Sequence, residues 1–216
     1  MRIRLTAVTA LAMVLAVIAA TPATAAPAIT RPQVKSSLLT VDDLSKGWHR
    51  TAGSGPGSAA PEVTGCKALR AKSVGVAHEA DRSFRYRKLP TFIQESVQSF
   101  GTPKLARTDF AKSVRLFRSC PRFTTDGERW EVTRLSMPDY AAQRAMYRLT
   151  GAVGTAAGDI EITMFLVASR VGRQQVVVLV TVAGNGMTRA VRRGLADSSV
   201  RISRVATGKV RDVLGR

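Results

Sequence analysis

Residues 174 to 183 read QQVVVLVTVA, and no other stretch restricts the possible folds as strongly. In an extended chain Val176, Val178, Val180 and Val182 fall on one face and Val177 and Leu179 on the other. A strand that is apolar on both faces belongs at the centre of a sheet covered on both sides. Ile160 to Arg170 precedes it through Val171-Gly172-Arg173, which makes a hairpin. The run is strand-length and too short to span a bilayer.

The remaining elements arrange themselves around that hairpin. Ser83 to Arg87 and Phe92 to Phe100 read as strands joined through Lys88-Leu89-Pro90, the second with a half-polar alternation of period two. Glu128 to Leu135 and Gln143 to Thr150 read as two more. Thr102-Pro103 supplies an N-cap and a first-turn proline for a helix whose apolar positions are Leu105 or Ala106, Phe110, Ala111, Val114 and Phe117. Cys120-Pro121 ends it. A last helix is expected from about Met187 to Val205, with a stripe of Val191, Leu195, Ser198, Ile202 and Val205. Thr40-Val41-Asp42-Asp43 has the form of a capping box opening a short helix that Gly47 closes. Leu38, Leu39, Leu44 and Trp48 anchor it. The expected fold class is α+β: a single twisted, mostly antiparallel sheet with two long helices packed on it and a short N-terminal helix.

The N-terminus reads as an export signal. Arg2 and Arg4 precede an uncharged run from Leu5 to Ala20, and Ala23-Thr24-Ala25 supplies an A-x-A cleavage site. The expected organisation is therefore a signal peptide over 1–25, a poorly ordered leader over 26–36, a domain over 37–206, and a basic tail or helix extension over 207–216. No transmembrane anchor is expected to remain after cleavage. The loop from Gly53 to Pro61 carries no periodicity. Cys66 and Cys120, the only cysteines, read as one disulfide in an exported chain.

The formal charge of the whole chain is +18, and loss of Arg2 and Arg4 with the signal leaves +16. Such an excess favours anionic partners: a membrane surface, an envelope polymer or an acidic ligand. Basic residues concentrate on the first long helix as Lys104, Arg107, Lys112, Arg115 and Arg118, a candidate contact with an anionic surface. The last helix adds Arg189, Arg192, Arg193, Arg201 and Arg204. Few aromatics interleave with them, and export also disfavours nucleic acid. Trp130, Arg134, Tyr147 and Arg148, on adjacent expected strands, form a candidate ligand cleft. The two histidines, His49 and His78, carry no catalytic neighbourhood. Arg82 stands where H-E-x-x-H would need its second histidine. Gly184-Asn185-Gly186 reads as a tight strand-to-helix turn rather than a phosphate loop. No metal, cofactor or catalytic residue is expected.

Leu38-Leu39-Thr40 through Asp43-Leu44-Ser45-Lys46-Gly47-Trp48, and Ser119-Cys120-Pro121-Arg122-Phe123 at a helix end, carry a resemblance. Together with the valine-rich hairpin and closing helix, they resemble the actinobacterial secreted sensor-like domains. That family is similar to the extracellular sensor domain of the mycobacterial serine/threonine protein kinase H and to related lipoproteins. The resemblance covers about residues 36–206. It implies a non-enzymatic, extracytoplasmic ligand-binding fold with a twisted antiparallel sheet, helices and a cleft. The chain departs from the kinase pattern in having one cysteine pair instead of two, no lipobox and no segment joining it to a kinase. The alternatives are a secreted hydrolase with an unrecognised site, or a structural envelope protein held by charge.

Overall fold

In a computed structural model, residues 29–51, 63–66, 73–125, 127–156 and 158–213 are described. The expected signal peptide and the Gly53 to Pro61 loop lie outside them. Among the described residues the strands are β1 (Trp48–Thr51), β2 (Val63–Thr64), β3 (Val76–Tyr86), β4 (Thr91–Phe100), β5 (Arg122–Thr125), β6 (Glu128–Leu135), β7 (Gln143–Thr155), β8 (Gly158–Val171) and β9 (Gln174–Ala183). The helices are α1 (Arg31–Ser36), α2 (Pro103–Arg118) and α3 (Arg189–Val213), with a 3-10 turn at Val41–Asp43.

All nine strands join one antiparallel sheet in the order β1-β3-β4-β9-β8-β7-β6-β5-β2. The valine-rich strand β9 therefore lies inside the sheet, between β4 and β8. Its register with β4 sets Val180 against Ile93, Val178 against Glu95 and Val176 against Val97. Val176, Val178, Ile93 and Val97 are fully buried, each contributing about 1.5–3 kcal/mol. This face carries α1 and α3. The opposite face carries α2, where Phe110, Phe123, Trp130, Tyr147 and the Cys66–Cys120 disulfide make a second core.

Three expectations shift. The stretch 26–36 is not all a loose leader. Thr30 and Gln33 form a reciprocal capping box, Pro32 sits in the first turn, and Val34 is buried, so residues 31–36 are helical. The Thr40 capping box forms as well, but it opens only the three-residue 3-10 turn, and Trp48 already belongs to β1. The last helix runs on to Val213, and its buried face is not the apolar stripe. Ser199, Ser203, Ala206, Thr207 and Val210 face the sheet, while Val191 is 50% and Val205 37% exposed. The buried hydroxyls are satisfied locally. Ser199 donates to the Leu195 carbonyl at 2.8 Å, Thr207 to the Ser203 carbonyl at 2.7 Å, and Tyr140 to Ser203 Oγ at 2.8 Å. Small side chains let the helix axis approach β8, where Ser169 and Thr207 share a 2.7 Å hydrogen bond.

Gly47 holds the turn into β1 at φ +100°, and a Cβ there would come within 2.6 Å of the Tyr86 ring. Gly47→Ala should lower unfolding free energy by about 2–3 kcal/mol, combining a left-handed backbone with a clash. Gly127→Ala, at φ +83° with nothing within 4 Å, should cost only about 1 kcal/mol. Urea melts giving equal losses would contradict the steric account.

Candidate functional site

The two faces of the sheet separate residues that are neighbours in sequence. In the β6–β7 register Arg134 opposes Tyr147 and Thr133 opposes Arg148. Trp130, Arg134 and Tyr147 thus share the α2 face, and Arg148 points to the α3 face. Trp130 is buried and stacks on Phe123 with centroids 6.1 Å apart. Tyr147 is buried, stacks on Phe117 at 4.9 Å, and donates its hydroxyl to the Val114 carbonyl at 3.2 Å. Burial raises its pKa. Arg134 is exposed. The four residues are therefore not brought into one cleft, and the two aromatics are core under α2.

Arg148 instead helps to line a cleft of about 940 Å³ on the other face. Its floor is Met146, Arg148 and Phe165, from β7 and β8. One wall is the first half of α3, bringing Arg189, Arg192, Arg193 and Ala196, with Val200, Arg201 and Arg204 further along. The end wall is the segment after β6, with Leu135, Ser136 and Pro138. Tyr140 fixes that segment to α3 through its bond to Ser203, through Arg211 donating to its carbonyl, and through the Arg204 guanidinium 5.7 Å from its ring centroid. Asp197 is the one acid on the lining.

Few of these charges are neutralised. Arg192 pairs with Glu161 at 3.1 Å, and Arg148 reaches only Thr133 Oγ1, at 3.4 Å, with its Nε buried and unbonded. Among the described residues Arg148, Arg189, Arg193, Arg201 and Arg204 make no salt bridge. The first turn of α3 contains no acid. Arginines at a helix N-terminus work against the macrodipole, so this placement is electrostatically costly in the ligand-free chain. Asn185 stabilises the turn before α3, accepting from Glu161 N–H at 2.9 Å and donating to the Asp159 carbonyl at 3.0 Å. Gly184-Asn185-Gly186 is therefore a structural turn.

On the opposite flank of α3 the apolar stripe of the sequence lines a second groove, of about 380 Å³. Leu195, Ile202 and Val205 face Trp48, Tyr86 and Leu89 across it. Nearby, the Leu38-Leu39-Thr40 segment lies over the sheet. Leu39 N–H donates to Glu95 Oε2 at 2.7 Å, and the Arg82 guanidinium donates to the Leu38 and Leu39 carbonyls. Glu95 was legible only as one polar member of an alternating strand. It is fully buried, and burial pushes its pKa up to about 7 against the pull of the Leu39 amide, Arg82 and Lys209.

Lys104, Arg107, Lys112, Arg115 and Arg118 are all exposed on α2. The only acid of that helix, Asp109, is turned inward, where it accepts from Gln175 Nε2 at 3.2 Å and from Val74 N–H at 3.3 Å. The outward charge of α2 is therefore all of one sign. His49 pairs with Arg85 near one end of β3 and His78 lies seven positions back along that strand, on the opposite face. They stand about 23 Å apart along it. Among the described residues no group of three His, Cys, Asp or Glu could hold a metal ion. None of the described helices is long and apolar enough to cross a membrane.

No protein-family model matches the sequence, and no curated protein is significantly similar to it. Among solved structures, the extracellular domain of PknH from Mycobacterium tuberculosis is similar in fold, with a TM-score of 0.53 at 13% identity. The match covers 87% of this chain and 100% of that one.

Proposed function

We propose that this chain is a non-enzymatic, extracytoplasmic, sensor-like domain that binds an anionic ligand or cell-envelope component. The observation that carries this reading is the arginine-lined cleft beside α3, where most of the cations lack an ionic partner and Arg189 opposes the helix dipole. An anion there would relieve both. The likeness in fold to the extracellular domain of PknH supports the extracytoplasmic role, as do the expected export signal and the disulfide.

A second contact is favoured by α2. Its five exposed basic side chains could each add roughly 1 kcal/mol at an anionic surface, without any pocket. Co-sedimentation with anionic vesicles or cell-wall fragments tests both. Binding is expected to weaken as the Debye length falls from about 10 Å at 0.1 M salt to about 3 Å at 1 M. Replacing Lys104, Arg107, Lys112, Arg115 and Arg118 by Gln should remove most vesicle binding if α2 is the docking face. Binding that ignored both surface charge and salt would refute the electrostatic account.

A further inference from the structure

We infer that the cleft between α3 and strands β6–β8 binds a single-chain amphiphile with a phosphate-type headgroup, as a monomer and not as a membrane surface. This inference rests on the anion-binding reading above and specifies its ligand class.

The cleft is of two characters. Leu135, Pro138, Ala196 and Val200 give it partly exposed apolar walls above the buried Met146 and Phe165, while Arg148, Arg189 and Arg193 gather at the end nearest the start of α3 and Arg201 and Arg204 lie farther along. A purely hydrophilic anion would satisfy the arginines and leave the apolar walls against water. A neutral lipid would cover the walls and leave the arginines uncompensated. Only a ligand with both parts matches the lining, because apolar burial and charge pairing then act together. The dimensions agree. The volume of about 940 Å³ is at the upper end of small-molecule sites. The α3 wall from Arg189 to Arg204 is about 22 Å long, enough for an extended chain beyond a headgroup.

The polarity of the helix sets the ligand's direction. Its N-terminal end, with Arg189 and Arg193 and without a first-turn acid, is where the positive end of the dipole lies. The phosphate belongs there, reached from below by Arg148. The chain would run toward Val200 and the Leu135–Pro138 wall.

The test is isothermal titration of the full mature chain with lysophosphatidylglycerol below its micelle concentration. Glycerol 3-phosphate serves as the headgroup alone and monolauroylglycerol, which has a single chain and no phosphate, as the uncharged comparison. The expected result is binding at least tenfold tighter for lysophosphatidylglycerol than for either. Arg148→Gln with Arg193→Gln should weaken it at least tenfold, and the five-Gln α2 variant should leave it within twofold. Arg189→Glu should abolish binding while raising Tm, since it replaces a cation by an acid in the first turn of the helix; a merely structural arginine would not separate those readouts. Ala196→Phe, which adds bulk beside the floor, should block binding in protein whose melt remains cooperative.

Equal affinity for glycerol 3-phosphate would overturn the amphiphile and leave the anion-binding reading standing. Equal affinity for monolauroylglycerol would overturn the role of the arginines. Absence of binding to all three would overturn the cleft as the site, with vesicle co-sedimentation still deciding whether the domain engages anionic surfaces through α2.

Discussion

Raising the pH from 5 to 8 should destabilise this protein by about 2–3 kcal/mol through Glu95 alone, and Glu95→Gln should abolish that dependence. Glu95 lies at the centre of β4 on the face covered by the Leu38-Leu39 segment, with Oε2 accepting from Leu39 N–H and Oε1 buried without a partner. Arg82 on β3 faces it but spends its hydrogen bonds on the Leu38 and Leu39 carbonyls. Lys209 on α3 pairs with Asp43 of the 3-10 turn. The carboxyl is therefore held among cations that are largely committed elsewhere, and burial dominates, raising its pKa from 4.5 to about 7. A carboxyl whose folded pKa is raised favours the fold in its protonated form. Its stabilisation is complete below about pH 4.5 and is lost as pH rises through 7. Asp43 acts in the opposite direction. Burial alone would raise its pKa, but Lys209 and the Thr40 amide and hydroxyl outweigh that and hold it below 3.8. Its contribution is lost only under strong acid, outside this window.

Urea melts at pH 5 and pH 8 are the measurement. With m near 2 kcal/mol/M the wild-type midpoint should fall by about 1 M across the interval. Glu95→Gln retains an acceptor for Leu39 N–H and has no proton to lose. It should match wild type within about 1 kcal/mol at pH 5 and exceed it at pH 8. Because every other titrating group is common to both chains, parallel profiles would show that Glu95 ionises without cost.

Much of this architecture was readable from pattern. The position of β9 inside the sheet followed from Val176 to Val182, and α2 began at the expected Thr102, whose side chain accepts from Leu105 N–H. What escaped has specific physical causes. Two-sided burial was legible for β9 because the run from Val176 to Val180 is apolar without a break. On β4, Ile93 and Val97 marked the inward face, and Glu95, between them, was pulled in by the pleat against its own preference. The α3 face was misread because hydrophobicity selects Leu195, Ile202 and Val205, whereas close packing on β8 selects small residues with internally satisfied hydroxyls. The apolar stripe then became a groove wall. The candidate cleft failed on period two. Tyr147 and Arg148 are consecutive and cannot share a face, so the strand alternation already separated them. The α3 arginines were visible as charge, but only the helix's placement over β8 and β9 turned them toward Arg148.

Reducing the Cys66–Cys120 bond should cost about 4 kcal/mol. The two residues are 54 apart in sequence, and closing so long a loop removes many conformations from the unfolded chain. The native contacts add a local reason. Cys66 follows β2, a two-residue strand at the far edge of the sheet that pairs only with Thr124 and Thr125 of β5. Two residues of ladder cannot hold a strand in place, so the bond to Cys120, buried beside Phe123 and Trp130, anchors that edge. Losing it should free β2 and expose the β5 edge as well as destabilise the whole domain. For a chain of this size the thermal midpoint should drop by about 8–15 °C on reduction. Cys66→Ala with Cys120→Ala should melt at the lower temperature and be unaffected by reductant. Native-state hydrogen exchange on that variant should quicken first at the β5 amides that face β2. If both thiols are alkylated after mild reduction and the midpoint stays where it was, the edge is held by packing alone and the bond contributes no stability.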